Sequence, residues 1–193
     1  MSFYRLIEKQ VVYTGQKVRL ELHHLEDEES GRRVKREVCV HNGAAVILPF
    51  LDEKTILLIR NRRYAIGQTL LELPAGTLDK GEDPINCAGR ELQEETGYVA
   101  GRLVSIGRFY TSPGILSEAM YAYAAFDLER SAQALDEGEE VEPVPMRMAE
   151  AIEAIRTGQI VDGKTIATLL LFDRFHANQG ERSVRRSSCG DDQ

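Results

Sequence analysis

The 193-residue sequence predicts an α/β domain that follows a small antiparallel β subdomain. Three observations lead to this fold class. The first part of the chain alternates apolar and polar residues, the middle contains short apolar runs, and one amphipathic segment carries clear helix start and stop signals. We therefore place the β subdomain at residues 1–42, the main domain at 43–177 and a polar, disordered tail at 178–193.

The predicted β subdomain consists of three strands. Val18, Leu20 and Leu22 alternate with polar residues, which is the period of a half-buried strand. An acidic stretch at 26–31 predicts the turn that follows. Such a small meander buries little core of its own, so we expect it to pack on the main domain or on a second subunit.

The main domain combines apolar strands with helices. Ala44–Pro49 and Thr55–Arg60 are short apolar runs, typical of buried strands. Two more strands and two closing helices are predicted near Leu103–Tyr110, Ala119–Phe126, Met148–Thr157 and Lys164–Phe175. This mixture of elements places the chain in the α/β class.

Another helix lies between these strands, and its ends are marked in the sequence. The signals are an N-cap, a proline at the first helical position and a terminating glycine, at Asp83, Pro84 and Gly97. Ile85, Ala88 and Leu92 repeat at helical spacing, so we expect these three side chains to face the core.

Composition and charge exclude several classes of protein. A formal net charge of −7 disfavours a nucleic-acid partner, although a bound metal could still allow a nucleotide substrate. No apolar run approaches the roughly 18–20 residues of a membrane span, and the N-terminus lacks the apolar region of a signal peptide. Cys39, Cys87 and Cys189 are too scattered for a disulfide framework or a zinc site. We expect a cytoplasmic protein with no nucleic-acid and no membrane partner.

Glutamates are concentrated on one face of the helix that ends at Gly97. Glu94 and Glu95 follow Glu91 by three and four residues, and Glu82 lies just before the helix. Carboxylates this close repel one another unless a cation lies among them. Mg²⁺ prefers oxygen ligands and bridges phosphate oxygens. The cluster is therefore either a magnesium site or an acidic, solvated helix face.

The spacing decides between these two interpretations. Gly76, five residues, Glu82, seven residues and then Arg-Glu-Leu-x-Glu-Glu-x-Gly-Tyr at 90–98 form one continuous signature. A chance match at even eight of these nine fixed positions is expected about once in 10⁹ starting points, which disfavours an incidental acidic face. The segment resembles the Nudix box at every position.

The resemblance to Nudix hydrolases implies an α/β/α sandwich with a mixed sheet, and a metal site that acts on a pyrophosphate. The implied metal ligands are the carboxylates of Glu91, Glu95 and Glu82 and the backbone carbonyl of Ala75. Glu94 assists in catalysis, and Arg90 pairs with it at helical spacing and holds the geometry of the cluster. The implied cofactor is Mg²⁺, for which Mn²⁺ can substitute.

Residues outside the box resemble the ADP-ribose pyrophosphatase branch of the family. A proline sixteen residues after Gly97 marks that branch, and the segment Leu70–Gly76 is similar to its approach to the box. The implied substrate contacts are Arg36, Arg63, Glu72, Pro113 and Glu118. An arginine suits this role because its planar fork pairs with phosphate oxygens.

These substrate contacts have other interpretations. Pro113 could simply form a turn, Arg63 could be a surface charge, and Glu72 could be paired across a sheet. Arg36 depends on a swapped dimer, in which it would reach the site of a partner subunit.

The resemblance also implies a catalytic base on a mobile loop after the box. Here the loop is 135–142, and Glu139 or Glu140 precedes the next strand at the implied place, with Glu139 slightly preferred. Gly138 gives the loop freedom to close over a substrate. The alternative is an exposed acidic loop without a role in catalysis.

The implied function is Mg²⁺-dependent hydrolysis of ADP-ribose to AMP and ribose 5-phosphate by a homodimer. One alternative is another nucleoside diphosphate sugar such as GDP-mannose, because residues 155–165 also look like enzymes of that type. A second alternative is a non-catalytic ADP-ribose sensor. Such modules usually lose box glutamates, whereas all four are present here.

Overall fold

The computed structural model describes residues 3–16, 18–135, 138 and 140–176. The predicted tail at 178–193 and Glu139 lie outside the described residues. The chain divides into two compact units. The first is Met1–Gly43 with Tyr110–Ala119, and the second is Ala44–Phe109 with Met120–Gln193.

The first unit is built on a three-stranded antiparallel sheet in the order β1-β2-β3. Its strands are β1 (Tyr4–Thr14), β2 (Arg19–Asp27) and β3 (Arg33–Val40). The segment Tyr110–Ala119 joins this unit because Cys39 at the end of β3 forms a parallel bridge with Leu116. The unit thus draws on a distant part of the chain as well as on the predicted N-terminal range.

The second unit contains seven strands and three helices among its described residues. The strands are β4 (Ala44–Pro49), β5 (Thr55–Arg63), β6 (Gln68–Glu72), β7 (Ala75–Thr77), β8 (Tyr98–Tyr110), β9 (Ala119–Arg130) and β10 (Val141–Arg147). The helices are α1 (Pro84–Thr96), α2 (Met148–Arg156) and α3 (Gly163–Phe175).

Two sheets organise this unit. The larger has the order β7-β4-β9-β8, with β4 parallel to β9 and antiparallel to β7, so the predicted mixed sheet is present. The smaller has the order β10-β5-β6 and is antiparallel throughout.

Helices cover both faces of the larger sheet, and β4 shows why. Successive side chains of a strand point to opposite faces. Ala45 and Ile47 pack with Ala88 and Leu92 of α1, in a cluster that is almost wholly buried. Val46 and Leu48 alternate with them and belong to the core formed with α2 and α3, which include Ala151, Ala154, Leu169 and Phe172. The α/β/α arrangement predicted from the sequence is confirmed.

One residue predicted in the core is exposed. Ile85 retains 40% of its surface, although it lies on the predicted side of α1. Burial along α1 begins only at Cys87, so the first turn projects beyond the packed layer. Among the described residues, no helix is long and apolar enough to cross a membrane.

Candidate active site

Helix α1 carries the glutamate cluster, and its ends are formed as predicted. The side chain of Asp83 accepts a hydrogen bond from the amide of Ile85 at 3.1 Å, and Pro84 occupies the first helical position. Gly97 adopts a left-handed conformation with φ of 71°, which glycine tolerates at a helix end. These caps fix the register in which the acidic side chains leave the helix.

Arg90 lies among three of the glutamates and holds them together. Its guanidinium donates to both carboxylate oxygens of Glu82 at 3.1 Å. The Nη1 atom donates to Glu91 at 2.7 Å and to Glu94 at 2.9 Å, and Nη2 reaches the carbonyl of Thr77 at 3.2 Å. The predicted pairing of Arg90 with Glu94 is present, but Arg90 organises a larger set of carboxylates than its helical spacing indicated.

The hydrogen bonds that Arg90 donates shift pKa values within the cluster. The bonds from Arg90 hold the pKa of Glu82 below its ordinary value, despite some desolvation. The same carboxylates raise the pKa of Arg90, so the guanidinium stays charged at every pH of interest. One guanidinium is therefore shared among three carboxylates of the cluster.

Gly76 and Cys87 line the other side of Glu91. A Cβ built on Gly76 would lie 1.8 Å from the carboxylate carbon of Glu91, which no side chain could accept. The buried thiol of Cys87 donates to the carbonyl of Gly76 at 3.6 Å. Burial and the neighbouring carboxylates of Glu91 and Glu82 raise the pKa of Cys87 to about 12, so it remains a neutral packing group.

Glu95 is held separately from the Arg90 cluster. Its side chain is almost buried, and one carboxylate oxygen accepts from the amide of Ala75 at 2.8 Å. This bond joins the helix to the short strand that begins the box. The predicted ligands Glu95 and Ala75 are therefore neighbours, since the amide that binds Glu95 belongs to the residue whose carbonyl is the implied ligand.

The donor set suits a hard divalent cation. It consists of carboxylate oxygens and a peptide carbonyl, the ligands that Mg²⁺ prefers. Within the described ranges, no three His, Cys, Asp or Glu side chains already form a group with metal-holding geometry. The carboxylate of Glu91 occupies the position that a Cβ at residue 76 would take. The backbone therefore approaches this carboxylate as closely as only glycine permits.

The segment after β9 is tied to the end of α1. The amide of Ser131 donates to the carbonyl of Gly97 at 2.7 Å, and the amide of Ala134 donates to the carbonyl of Glu94 at 3.1 Å. The side-chain amide of Gln133 donates to the carbonyl of Glu95 at 2.7 Å. These hydrogen-bonded residues, 131–134, form an anchor for the loop that carries the predicted catalytic base. Glu140 is exposed and directly precedes β10, whose backbone lies close to α1, whereas Glu139 is outside the described residues. The sequence did not indicate the anchor, because amides and glutamines carry no pattern of their own.

A second charged group surrounds Glu72 at the end of β6. Glu72 is wholly buried and accepts two hydrogen bonds from Arg63, at 2.8 Å from Nε and 2.5 Å from Nη2. Lys164 at the start of α3 also binds this carboxylate, and it contacts Asp162 at 3.0 Å. The bonds with Glu72 raise the pKa of Arg63. The structure thus brings the two predicted contacts Arg63 and Glu72 together, and adds Lys164, which sequence reasoning missed.

The remaining predicted contacts belong to the first unit. Arg36 is exposed on β3 and donates to the carbonyl of Lys35 at 3.0 Å. Pro113 is exposed in the segment that bridges to β3. Glu118 accepts from the hydroxyl of Thr111 at 2.6 Å and lies 3.5 Å from His41. Its carboxylate therefore also stabilises its own loop.

Comparison with known proteins agrees with this fold. The family model described as NUDIX domain matches residues 40–169. The chain therefore belongs to the Nudix family, as the spacing of the box predicted. The predicted enzyme class, a Nudix pyrophosphohydrolase, is confirmed by this membership and by the relatives that the chain resembles. Nudix hydrolases generally depend on a divalent metal ion.

The chain is similar to two pyrophosphatases and to one solved structure. The chain is 34% identical over 182 residues to the ADP-ribose pyrophosphatase of Bacillus subtilis (strain 168), which covers 92% of this chain and 97% of that protein. It is 36% identical over 154 residues to the GDP-mannose pyrophosphatase of Salmonella paratyphi B (strain ATCC BAA-1250 / SPB7), covering 75% of this chain and 80% of that protein. A crystal structure described as an ADP compounds hydrolase superposes with a TM-score of 0.81 at 24% identity, over 92% of this chain and 96% of that chain, and shows the shared fold.

Proposed function

We propose that this protein hydrolyses the pyrophosphate bond of ADP-ribose and releases AMP and ribose 5-phosphate. The similarity to the ADP-ribose pyrophosphatase extends over nearly the whole of both chains, which supports this substrate. The observation that carries the proposal is the group of carboxylates held at Arg90, because a diphosphate and an acidic cluster meet only through a shared cation.

The cation in this proposal is Mg²⁺, with Mn²⁺ as a substitute. Its ligands would be Glu91 and Glu95, with Glu82 and the carbonyl of Ala75. When bound, the metal would supply positive charge to the diphosphate and lower the pKa of the attacking water. Arg90 lowers the pKa of Glu82 and holds Glu82 and Glu91 at their positions, which prepares these two ligands before any metal arrives.

Arg63 binds the diphosphate in this proposal. Only Nε and Nη2 take part in its pair with Glu72, and 40% of the side chain is exposed. A guanidinium has five N–H donors, so one edge can bind Glu72 while the other end binds a phosphate. Glu72 then serves the substrate indirectly, by orienting Arg63, rather than as a contact.

Proton removal from the attacking water falls to the loop between β9 and β10. Glu139 and Glu140 are the candidates, and Glu94 assists from α1. The anchor at Ser131–Ala134 starts this loop at the helix that carries the glutamates. These hydrogen bonds place the start of the loop beside α1, which suits a base that acts at the glutamates of this helix.

A panel of nucleotide sugars tests the substrate. Purified protein with Mg²⁺ would be assayed with ADP-ribose, GDP-mannose, UDP-glucose and a nucleoside triphosphate, and kcat/KM compared. We expect ADP-ribose to lead. A preference of more than about tenfold for GDP-mannose, or about 1.4 kcal/mol, would make that nucleotide sugar the substrate instead. Tight ADP-ribose binding without turnover would identify a sensor.

The same proposal includes a homodimer in the cytoplasm. Every residue of β1 is exposed, including the large apolar residues Val11, Val12 and Tyr13. An open strand edge with apolar side chains is suited to cover by a second subunit. Arg36 would then serve the site of the partner. Sedimentation velocity of the wild type and a Val12→Glu variant measures this: we expect a dimer that the charge weakens, and a monomeric wild type would contradict it.

A further inference from the structure

Lys164 has no part in the proposed reaction, yet its charge lies within the protein. Only 11% of its side chain is exposed, and its ammonium binds Glu72 and Asp162. Lysine is rarely buried to this extent unless its charge is paired. Two carboxylates already bind this ammonium, so we expect its effect to pass through the groups that it binds.

The group that connects Lys164 to the site is Glu72. A carboxylate with no exposed surface needs nearby positive charge, because water cannot stabilise it. Glu72 obtains this from two cations, Arg63 and Lys164. Asp162 pairs with Lys164 as well, so the four side chains carry no net formal charge. Without Lys164 the remaining three side chains would be net negative, and the attraction of this group for a phosphate would fall.

We propose that Lys164 is a positioning residue for diphosphate binding: it shares Glu72 with Arg63, so that Glu72 offsets less of the positive charge that the guanidinium offers to the diphosphate. This inference rests on the proposed function, in which Arg63 binds the diphosphate. The charges of Glu95 and Asp162 also act on the pKa of Arg63, so this group and the metal helix belong to one electrostatic environment.

A neighbouring bond ties Lys164 to the fold and supplies a control. The buried hydroxyl of Thr165 accepts from the amide of Leu73 at 2.8 Å and donates to Asp162 at 2.6 Å. These bonds join α3 to the residue after Glu72, and they involve neither Arg63 nor the carboxylate of Glu72; Thr165 itself is uncharged. A Thr165→Val variant therefore removes structural support from the same place while leaving the charge relationship intact.

The test is equilibrium binding of ADP-ribose and of GDP-mannose in EDTA, by calorimetry, so that only the groups of the chain contribute. We expect Lys164→Met to raise Kd about five- to tenfold, and Lys164→Arg to stay within about twofold of wild type. Lys164→Gln keeps a hydrogen-bond donor for Glu72 but not the charge, and provides a second variant if the methionine protein does not fold. Lys54→Met, on an exposed turn, controls for loss of a positive charge elsewhere.

A double-mutant cycle then shows whether Lys164 acts through Arg63. In an Arg63→Gln background, Lys164→Met should add less than about twofold to Kd, since the group on which it acts is gone. With Mg²⁺ present, KM should rise while kcat changes little. Thr165→Val should lower Tm and leave Kd unchanged.

Three results would overturn the inference. These are unchanged Kd in both uncharged variants, additive losses in the cycle, or an equal loss of affinity in Thr165→Val. If the wild type hydrolyses neither nucleotide sugar with Mg²⁺ present, the proposed function fails together with this inference. If it hydrolyses one of them but binds neither in EDTA, the expected rise in KM of Lys164→Met decides the role of Lys164. If it binds one of them and the variants bind it equally well, only the role of Lys164 is refuted.

Discussion

Gly76 and Glu91 approach each other so closely that a Cβ at position 76 would lie 1.8 Å from the carboxylate carbon. The contact joins the first residue of the Nudix box to a proposed metal ligand on α1. Glycine is required here because of the space that Glu91 occupies, and its φ does not fall in the left-handed region.

Gly76→Ala should therefore displace Glu91 and reduce kcat/KM by at least about a hundredfold, a loss typical of displaced catalytic groups. The matched control is Gly89→Ala in α1, the helix that carries Glu91, where an added Cβ meets only Leu103 at 3.8 Å. That change should keep activity and stabilise the helix by up to about 1 kcal/mol. Steady-state kinetics and thermal unfolding measure both. Normal turnover in Gly76→Ala would remove Glu91 from the proposed ligand set.

Glu95→Gln should lose turnover while the fold persists. The amide oxygen of glutamine can still accept the hydrogen bond from Ala75, so structure is preserved, but the negative charge needed for the metal is gone. We expect kcat to fall by about 10³ or more, with Tm within a few degrees of wild type. Circular dichroism and a Mg²⁺ titration of activity test this. A folded variant that keeps its activity would contradict the ligand role.

Arg90→Met should destabilise the protein in a pH-dependent way. Arg90 lowers the pKa of Glu82 from its ordinary value of 4.5, so their interaction stabilises the fold above that pH. The stabilisation disappears as the pH falls through the lowered pKa. We expect the variant to lose about 1–3 kcal/mol at pH 7, and this difference to shrink below about pH 4.5. Urea unfolding at several pH values measures it.

The exposed pair of Arg156 with Glu153 is the control for this experiment. Because water already solvates both side chains, Arg156→Met should leave the free energy of unfolding at pH 7 nearly unchanged. If Arg90→Met lowered the free energy of unfolding by the same amount at every pH, the arginine would act through packing rather than through its charge.

Glu139→Gln and Glu140→Gln should differ from each other if one of them is the base. Substitution of the residue that takes the proton should lower kcat by a factor of about 10²–10⁴ with little change in KM, because proton transfer occurs only in the transition state. The other substitution should have a small effect. Single-turnover kinetics across pH 6–9 distinguish the two. Equal, small effects would assign the role to a group outside this loop, with Glu94 tested next by the same substitution.

Much of the site could be predicted because it is local in sequence. The spacing from Gly76 to Tyr98 specified the helix, its Asp83 and Gly97 caps and the face that carries the glutamates. Helical geometry alone brings residues three and four apart onto one face, so no knowledge of the tertiary fold was needed. The continuous apolar run of β4 likewise predicted a strand that is buried in a sheet.

Tertiary structure alone decided what lies beyond this helix. It brought Lys164 to Glu72 across 92 positions of sequence, and Gln133 to the backbone of Glu95 across 38. It also left Ile85 outside the core, because a helical pattern shows the side of a helix but not where along its length the sheet begins. Short-range geometry is encoded by residue spacing, whereas contacts between distant segments depend on how whole elements pack. For this reason the sequence determined the family and the acidic face, and only the fold revealed how charge is shared around Arg63 and Arg90.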